Sequence, residues 1–274
     1  MKNKIILLIV FFCSTIGYAQ TAEKIASTLL DGPDGIAMDA KGNLYIANWG
    51  QKGNGHYVVK IDPAGKESVY VDSLASPDGV VFDKKGDLYI SCFASGQIVK
   101  ISEGKKEIVA RDIDHPSDIK FDHEGNLYVS AFGNFNGSKV LVLDRDRNMK
   151  VFADSINIPL GLVFDKKGNL YVSSFGSGEI WRINSAGKKK LFAQLPNDKP
   201  GYFQYLAFDK DENLYCPSFG HNCIYKISPQ GVKSVFSFLD STIKLAGPNS
   251  IFIRDDVMYF TEFTTNSVYK VALH

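Results

Sequence analysis

Oxygen-bearing side chains recur in this chain at one place, the head of a short apolar stretch. The six segments read Pro33-Asp34-Gly35, Pro77-Asp78-Gly79, Pro116-Ser117-Asp118, Pro159-Leu160-Gly161, Phe203-Gln204-Tyr205 and Pro248-Asn249-Ser250. A second series, Asn48, Cys92, Ala131, Ser174, Ser218 and Glu262, ends the next apolar stretch in each case. If one structure gathers both series, Asp34, Asp78, Asp118, Gln204, Asn249, Asn48 and Glu262 meet in a narrow space. Carboxylates so confined repel one another, and their pKa values rise unless a cation or hydrogen-bond donors compensate. Oxygen donors without a Cys or His cluster suit a hard cation, and Ca2+ takes about six to eight oxygens. The expected ligands are Asp34, Asp78, Asn249 and Glu262, with Ca2+ the first choice and Zn2+ or Mg2+ left open. Such an ion polarises a carbonyl and acidifies a bound water, with Asp78, Asp118 or His115 to take the proton. Asn48, Trp49, Gln204, Tyr205 and His221 are the expected substrate contacts. The plain alternative is that Pro-Asp-Gly is only a turn into a strand, the aspartate capping backbone amides and the glycine permitting the torsion.

The elements that position these residues are visible as an internal repeat. Gly42-Asn43-Leu44-Tyr45-Ile46 returns as Gly86-Asp87-Leu88-Tyr89-Ile90, Gly125-Asn126-Leu127-Tyr128-Val129, Gly168-Asn169-Leu170-Tyr171-Val172 and Glu212-Asn213-Leu214-Tyr215-Cys216, with Asp256-Val257-Met258-Tyr259-Phe260 a worn sixth copy. The tyrosines fall 44, 39, 43, 44 and 44 residues apart, a period typical of propeller blades. Each copy carries four short β signals parted by turn residues, called strands a to d below, and none shows sustained helical periodicity. Four antiparallel strands make one blade, so the chain is expected to be an all-β, six-bladed β-propeller. The last copy lacks a strand d, and Glu23 to Leu29 precedes the first strand a. The N-terminal segment is therefore expected to complete blade six and close the ring, removing two exposed edges. Trp49, Phe93, Phe132, Phe175, Phe219 and Phe263, each just after strand b, are expected to pack between blades. The lesser alternative is a ring that stacks on sugars.

Alternating strand directions put the starts of all a strands and the ends of all b strands on one face, and the Lys-Gly-Asn turns on the other. The turn face repeats; the opposite face varies and should carry function. His56, His115 and His221 lie there, whereas His123 belongs to the turn face and His274 is the last residue. The chain has no Gly-x-Ser-x-Gly elbow, phosphate loop or His-Glu-x-x-His, so serine-hydrolase, nucleotide and zinc-protease readings have no support.

Lys2 and Lys4 precede an apolar run from Ile5 to Cys13, and Gly17-Tyr18-Ala19 offers a cleavage site, so residues 1–19 read as a signal peptide. A lipid anchor on Cys13 is the lesser reading. A periplasmic or secreted, single-domain protein of residues 20–274 is expected, without membrane insertion and as a monomer. Removing residues 1–19 takes away two lysines and no acid, moving the formal charge from +1 to −1. With charges alternating in sign there is no basic field, and nucleic acid is dropped as a partner. Cys92, Cys216 and Cys223 are odd in number for an oxidising compartment; a Cys216–Cys223 disulfide and three buried thiols are both open.

The run Pro33 to Ala47, followed by Ile61-Asp62-Pro63-Ala64-Gly65-Lys66, resembles the senescence-marker-protein and gluconolactonase family, and nearly as closely the NHL repeat. The first resemblance implies a calcium- or zinc-dependent lactonase, with Asp34 or Asp78 and Asn249 at ligand positions. It also places Asp31 where that family has a glutamate, and Leu160 where an oxygen ligand could stand. Two functions follow. One is a metal-dependent hydrolase of a lactone or sugar-derived ester. The other, implied by the NHL likeness, is a non-catalytic propeller holding a glycan, peptide or protein on a patch including Trp49, Phe135 and Tyr202.

Overall fold

Each repeat becomes one four-stranded antiparallel sheet, and six sheets make up the fold. The structure is a computed structural model that describes residues 21–133, 138–198, 202–236 and 244–273. The expected signal peptide, Phe135 and His274 lie outside the described residues. In blade one the strands are Pro33–Met38, Leu44–Asn48, Tyr57–Ile61 and Glu67–Val71, hydrogen-bonded in that order. The a strands of neighbouring blades pack on one another around the axis. Burial falls outward, from Leu44–Asn48, buried throughout, to Glu67–Val71, largely exposed. Ring closure is as expected: Glu23–Ala26 pairs with Ser267–Ala272, placing Lys24 opposite Tyr269, and supplies the outer strand of blade six.

The repeating tyrosine of strand b does the packing between blades. Tyr45 meets Phe82, on strand a of blade two, edge to face with centroids 5.0 Å apart. Tyr89 with Phe121, Tyr128 with Phe164 and Tyr171 with Phe208 repeat the contact at 5.0, 5.0 and 5.1 Å. Such pairs contribute about 0.5–1.5 kcal/mol each beyond the area they bury. The aromatics expected in this role also meet from blade to blade, but at the ends of the sheets. Trp49, Phe93, Phe132, Phe175, Phe219 and Phe263 are only half-buried and line the mouth of the central channel. The reason is direction: strand b has ended by these residues, so they project past the sheet rather than into the gap between sheets.

The turn face is held by local carboxylates. Asp39 Oδ1 accepts the Lys41 and Asn43 amides at 2.9 Å, and Oδ2 accepts Nδ2 of Asn43 at 2.7 Å. Asp122, Asp165 and Asp209 repeat the arrangement. An Asp-x-x-Gly/Glu-Asn turn of this kind closes on itself and leaves no acid free.

Strand a breaks register at one point in five blades, between Pro33 and Ile36, Pro77 and Val80, Pro116 and Ile119, Pro159 and Leu162, and Pro248 and Ile251. A bulge takes the residues after the proline out of the ladder and re-aims their side chains. In blade five the strand is shorter, Ala207–Phe208, with Phe203 bridging separately to Ser218. Hydroxyls from strand b of the preceding blade then pin the displaced backbone. Thr261 Oγ1 donates to the Asp34 carbonyl (3.2 Å), Ser130 Oγ to that of Leu160 (2.6 Å) and Ser173 Oγ to that of Gln204 (2.7 Å).

No disulfide joins Cys92, Cys216 and Cys223. Cys216 lies opposite Tyr225 and Cys223 opposite Ser218, so the two are diagonal across their hairpin. Diagonal positions hold Cβ atoms roughly 7 Å apart, beyond the roughly 4 Å of a disulfide.

Candidate functional site

The bulged residues and the aromatics beyond strand b form two tiers of one cavity of about 310 Å³. Asp34, Asp78, Leu160, Gln204 and Asn249, all directly after the proline or its equivalent, make the lower tier. Trp49, Phe93, Phe132, Phe175, Phe219 and Phe263, joined by Tyr202, make the upper one. The upper rings touch in unbroken succession. Centroids are 6.1 Å apart for Trp49 and Phe93, 5.7 Å for Phe93 and Phe132, and 5.6 Å for Phe132 and Phe175. Tyr202 stacks on Phe175 at 4.7 Å and leads to Phe219 at 6.2 Å; Phe263 then closes the circuit, 6.0 Å from Phe219 and 6.2 Å from Trp49.

The acids of the lower tier lie under strain of charge. Asp34 is half-buried as a residue, yet its Oδ1 is shut off from solvent and has no hydrogen-bond partner. Burial, and then the charges of Asp78 and Asp118, push its pKa well above the carboxylate range, although Asn249 and Tyr205 lend hydrogen bonds. Burial also pushes Asp78 up to about 7, against the pull of the Tyr205 hydroxyl, which donates to its Oδ1. Asn249 is held by a 3.4 Å hydrogen bond from Nδ2 to the Pro33 carbonyl.

One residue further along the bulge the environment changes completely. Asp118 stands where blades one, two and four have Gly35, Gly79 and Gly161, and it sinks beneath the cavity. Its Oδ1 accepts the Ile119 amide at 2.8 Å and Lys120 Nζ at 2.5 Å, and its Oδ2 accepts the Leu162 amide at 2.8 Å. Tyr205, at the same step in blade five, is buried with Lys120 Nζ 5.8 Å from its ring centre.

Besides Asp118 and Tyr205, the residues Asn48, Glu262, His115 and His221 singled out from the sequence do not line this cavity. Asn48 accepts the Asp31 amide at 3.1 Å and donates to the Leu29 carbonyl at 3.3 Å, latching the loop that enters its own blade. Glu262 does the same in blade six, its Oε2 accepting the Ala246 amide at 2.9 Å; its Oε1 is buried without a partner, and burial raises its pKa to about 7. The last residue of strand b thus faces the incoming loop, and only its successor faces the channel. His115 stacks behind Phe93 with centroids 4.7 Å apart and bonds Asp114 at 2.6 Å. His221 sits between Ser218 Oγ (2.8 Å) and Asp198 Oδ1 (3.2 Å), with Phe203 and Tyr225 beside it. Asp31 is exposed outside the cavity.

Among the described residues no three His, Cys, Asp or Glu side chains converge as a metal site by themselves. A cation here would draw on Asp34 and Asp78 together with the amide oxygens of Asn249 and Gln204, an all-oxygen set that suits a hard ion. The unsatisfied Asp34 Oδ1 and the mutual repulsion of the acids are what such an ion would relieve. Sequence reasoning held the aromatic tier as a ligand-stacking ring only as its lesser alternative. Its signal was present in the recurrence of one ring per blade on the variable face.

No family model matches the chain, and no curated protein matches it. Solved structures do. A gluconolactonase of Xanthomonas campestris, described as important in glucose secondary metabolic pathways, is 16% identical over 92% of this chain and 89% of that one, with a TM-score of 0.77. A structure reported as a candidate gluconolactonase is 17% identical over 92% of both chains, also at 0.77. A catalytically inactive virginiamycin B lyase of Staphylococcus aureus, solved with quinupristin, is 14% identical over 88% of this chain and 80% of that one, at 0.68. At these identities the likeness is one of fold, and the chain is a six-bladed β-propeller of the architecture that these gluconolactonases and lyases share.

Proposed function

We propose that the chain is an exported, metal-dependent hydrolase that opens a small lactone or sugar-derived ester at the channel mouth, with calcium the cation its donors suit best. The observation that carries this reading is the pair Asp34 and Asp78, forced together at the floor of a small concave cavity with one oxygen unsatisfied. The lysine of the channel, Lys120, is bound to Asp118 instead of to this pair. Asp34, Asp78 and Asn249 would hold the cation, with Gln204 beside them. When bound, it polarises the ester carbonyl and lowers the pKa of water.

The chain's own groups supply the rest. The Tyr205 hydroxyl fixes the orientation of Asp78. Of the three groups considered for proton transfer, Asp78 alone lines the cavity, so it would take the proton of the attacking water. The aromatic tier shuts bulk water out around the bound molecule. A volume of about 310 Å³ suits a small molecule. Trp49 and Tyr202, which the alternative places in a broad protein- or glycan-binding patch, line this cavity, and Tyr202 is also exposed. The description of the fold neighbour from Xanthomonas campestris as a gluconolactonase supports a lactone as substrate.

The test is lactone hydrolysis followed by pH-stat with chelator-treated protein, before and after calcium is restored. Calcium-dependent turnover above the uncatalysed rate is expected, falling by about 100-fold or more in Asp34→Ala and Asp78→Ala. No turnover of any lactone, or turnover indifferent to chelation, defeats the reading.

A further inference from the structure

Polarity in the cavity is segregated by height. The lower tier carries all the charged and amide groups, Asp34, Asp78, Gln204 and Asn249. Above it stand seven rings, five of them phenylalanine, and only Trp49 and Tyr202 bring a polar atom. The rings touch in succession around the circuit, and among the described residues the cavity is lined only by them and by the lower tier.

The wall is also fixed from behind. A Cβ at Gly247 would stand 2.7 Å from Cε2 of Phe219, one at Gly32 would stand 2.9 Å from Cε2 of Phe263, and one at Gly53 would stand 2.9 Å from the Trp49 ring. These rings lie directly against backbone, so they cannot swing back to admit polar groups or water without moving a loop. A wall held in place before binding favours ligands whose surface already matches it.

A polyol lactone carries hydroxyls around its whole edge. With its ester carbonyl at the acidic floor, those hydroxyls would face phenylalanine carbons. Each hydroxyl stripped of water without a new partner costs about tenfold in affinity. An aryl or alkyl lactone presents carbon at the same places, where offset and edge-to-face ring contacts are favourable.

We infer that the substrate is a lactone whose non-reacting part is an aromatic or alkyl group, not a polyol, gripped by the ring of Trp49, Phe93, Phe132, Phe175, Tyr202, Phe219 and Phe263. This rests on the hydrolase reading above and narrows it. The experiment compares calcium-loaded protein on dihydrocoumarin and on glucono-δ-lactone, with spontaneous hydrolysis subtracted. Calorimetry with the matching lactams, 3,4-dihydro-2-quinolone and gluconolactam, reports binding without turnover. The expected result is a kcat/KM about 100-fold higher for dihydrocoumarin, narrowed about tenfold through KM in Phe132→Asn. Equal or faster turnover of glucono-δ-lactone overturns the inference and leaves the hydrolase reading standing. If neither lactone is turned over, the hydrolase reading fails and the lactams decide. Binding of the quinolone but not of gluconolactam upholds the apolar preference; tighter gluconolactam binding, or no binding of either, overturns it.

Discussion

The two faces of the ring use the same residue in opposite ways. On the turn face burial works against the Asp39 carboxylate, but hydrogen bonds from Asn43, the Lys41 amide and Tyr45 outweigh it and hold its pKa below the usual value. On the mouth face Asp34 is also taken from water, and there burial and the charge of Asp78 win, leaving its pKa raised and one oxygen unsatisfied. The first arrangement makes a stable corner. The second places unfavourable charge where a proton or a bound cation relieves it, which is a common mark of a working site. The difference lies in backbone, since a turn curls amides toward its aspartate whereas the bulge at Pro33 to Ile36 points its aspartate into a cavity.

The contrast predicts opposite responses to removing a carboxylate. Asp209→Ala on the turn face loses bonds to the Asp211 and Asn213 amides and to Nδ2 of Asn213. Chemical denaturation should show a loss of about 3 kcal/mol. Asp78→Asn at the mouth should instead stabilise the metal-free protein at neutral pH, by about 1 kcal/mol. A loss in that variant comparable to that of Asp209→Ala would erase the distinction.

The same contrast has a pH signature. Asp78 is raised to about 7 in the folded state, so between about pH 4 and pH 7 it keeps a proton that the unfolded chain has released, and Asp34, raised well above the carboxylate range, acts in the same direction. The contribution of Asp78 to stability is therefore complete below about pH 4 and is lost as the pH rises through about 7. Melting temperatures of metal-free protein should fall across this window, and the fall should be shallower in Asp34→Asn/Asp78→Asn. Glu262, also raised to about 7, and Asp118, raised by burial, contribute to the slope that remains. The smallest effect expected is in Thr261→Val, which removes the hydroxyl donated to the Asp34 carbonyl and should cost about 1 kcal/mol by denaturant titration.

The fold was legible because its determinants are local. Gly-Asn turns, period-two strands and one tyrosine per blade are each set by neighbours in sequence, and the missing last strand announced the closure by Glu23–Ala26. The candidate site was legible only in part, because single residues decide which way a side chain points. Asp78 and Asp118 differ by one step on equivalent bulges of neighbouring blades, and that step separates a cavity wall from an ion pair with Lys120 beneath it. Asn48 and Trp49 differ likewise, one latching a loop and the other facing the channel. Glu262 looked exceptional among its equivalents, but it meets the same backbone amide position that Asn48 meets in blade one. The aromatic series showed where in a blade each ring sits, while its height along the channel depended on strand b ending one residue earlier.

The central claim is that Asp34, Asp78 and Asn249 form a cation site at the channel mouth. It is tested most directly by thermal unfolding of chelator-treated protein across a calcium titration, with Asp34→Ala and Asn249→Ala alongside. The account predicts a midpoint that climbs with calcium in the native sequence, as binding to the folded state requires, and that stays level in both variants. A native protein whose midpoint is unmoved by calcium, zinc and magnesium alike would contradict it.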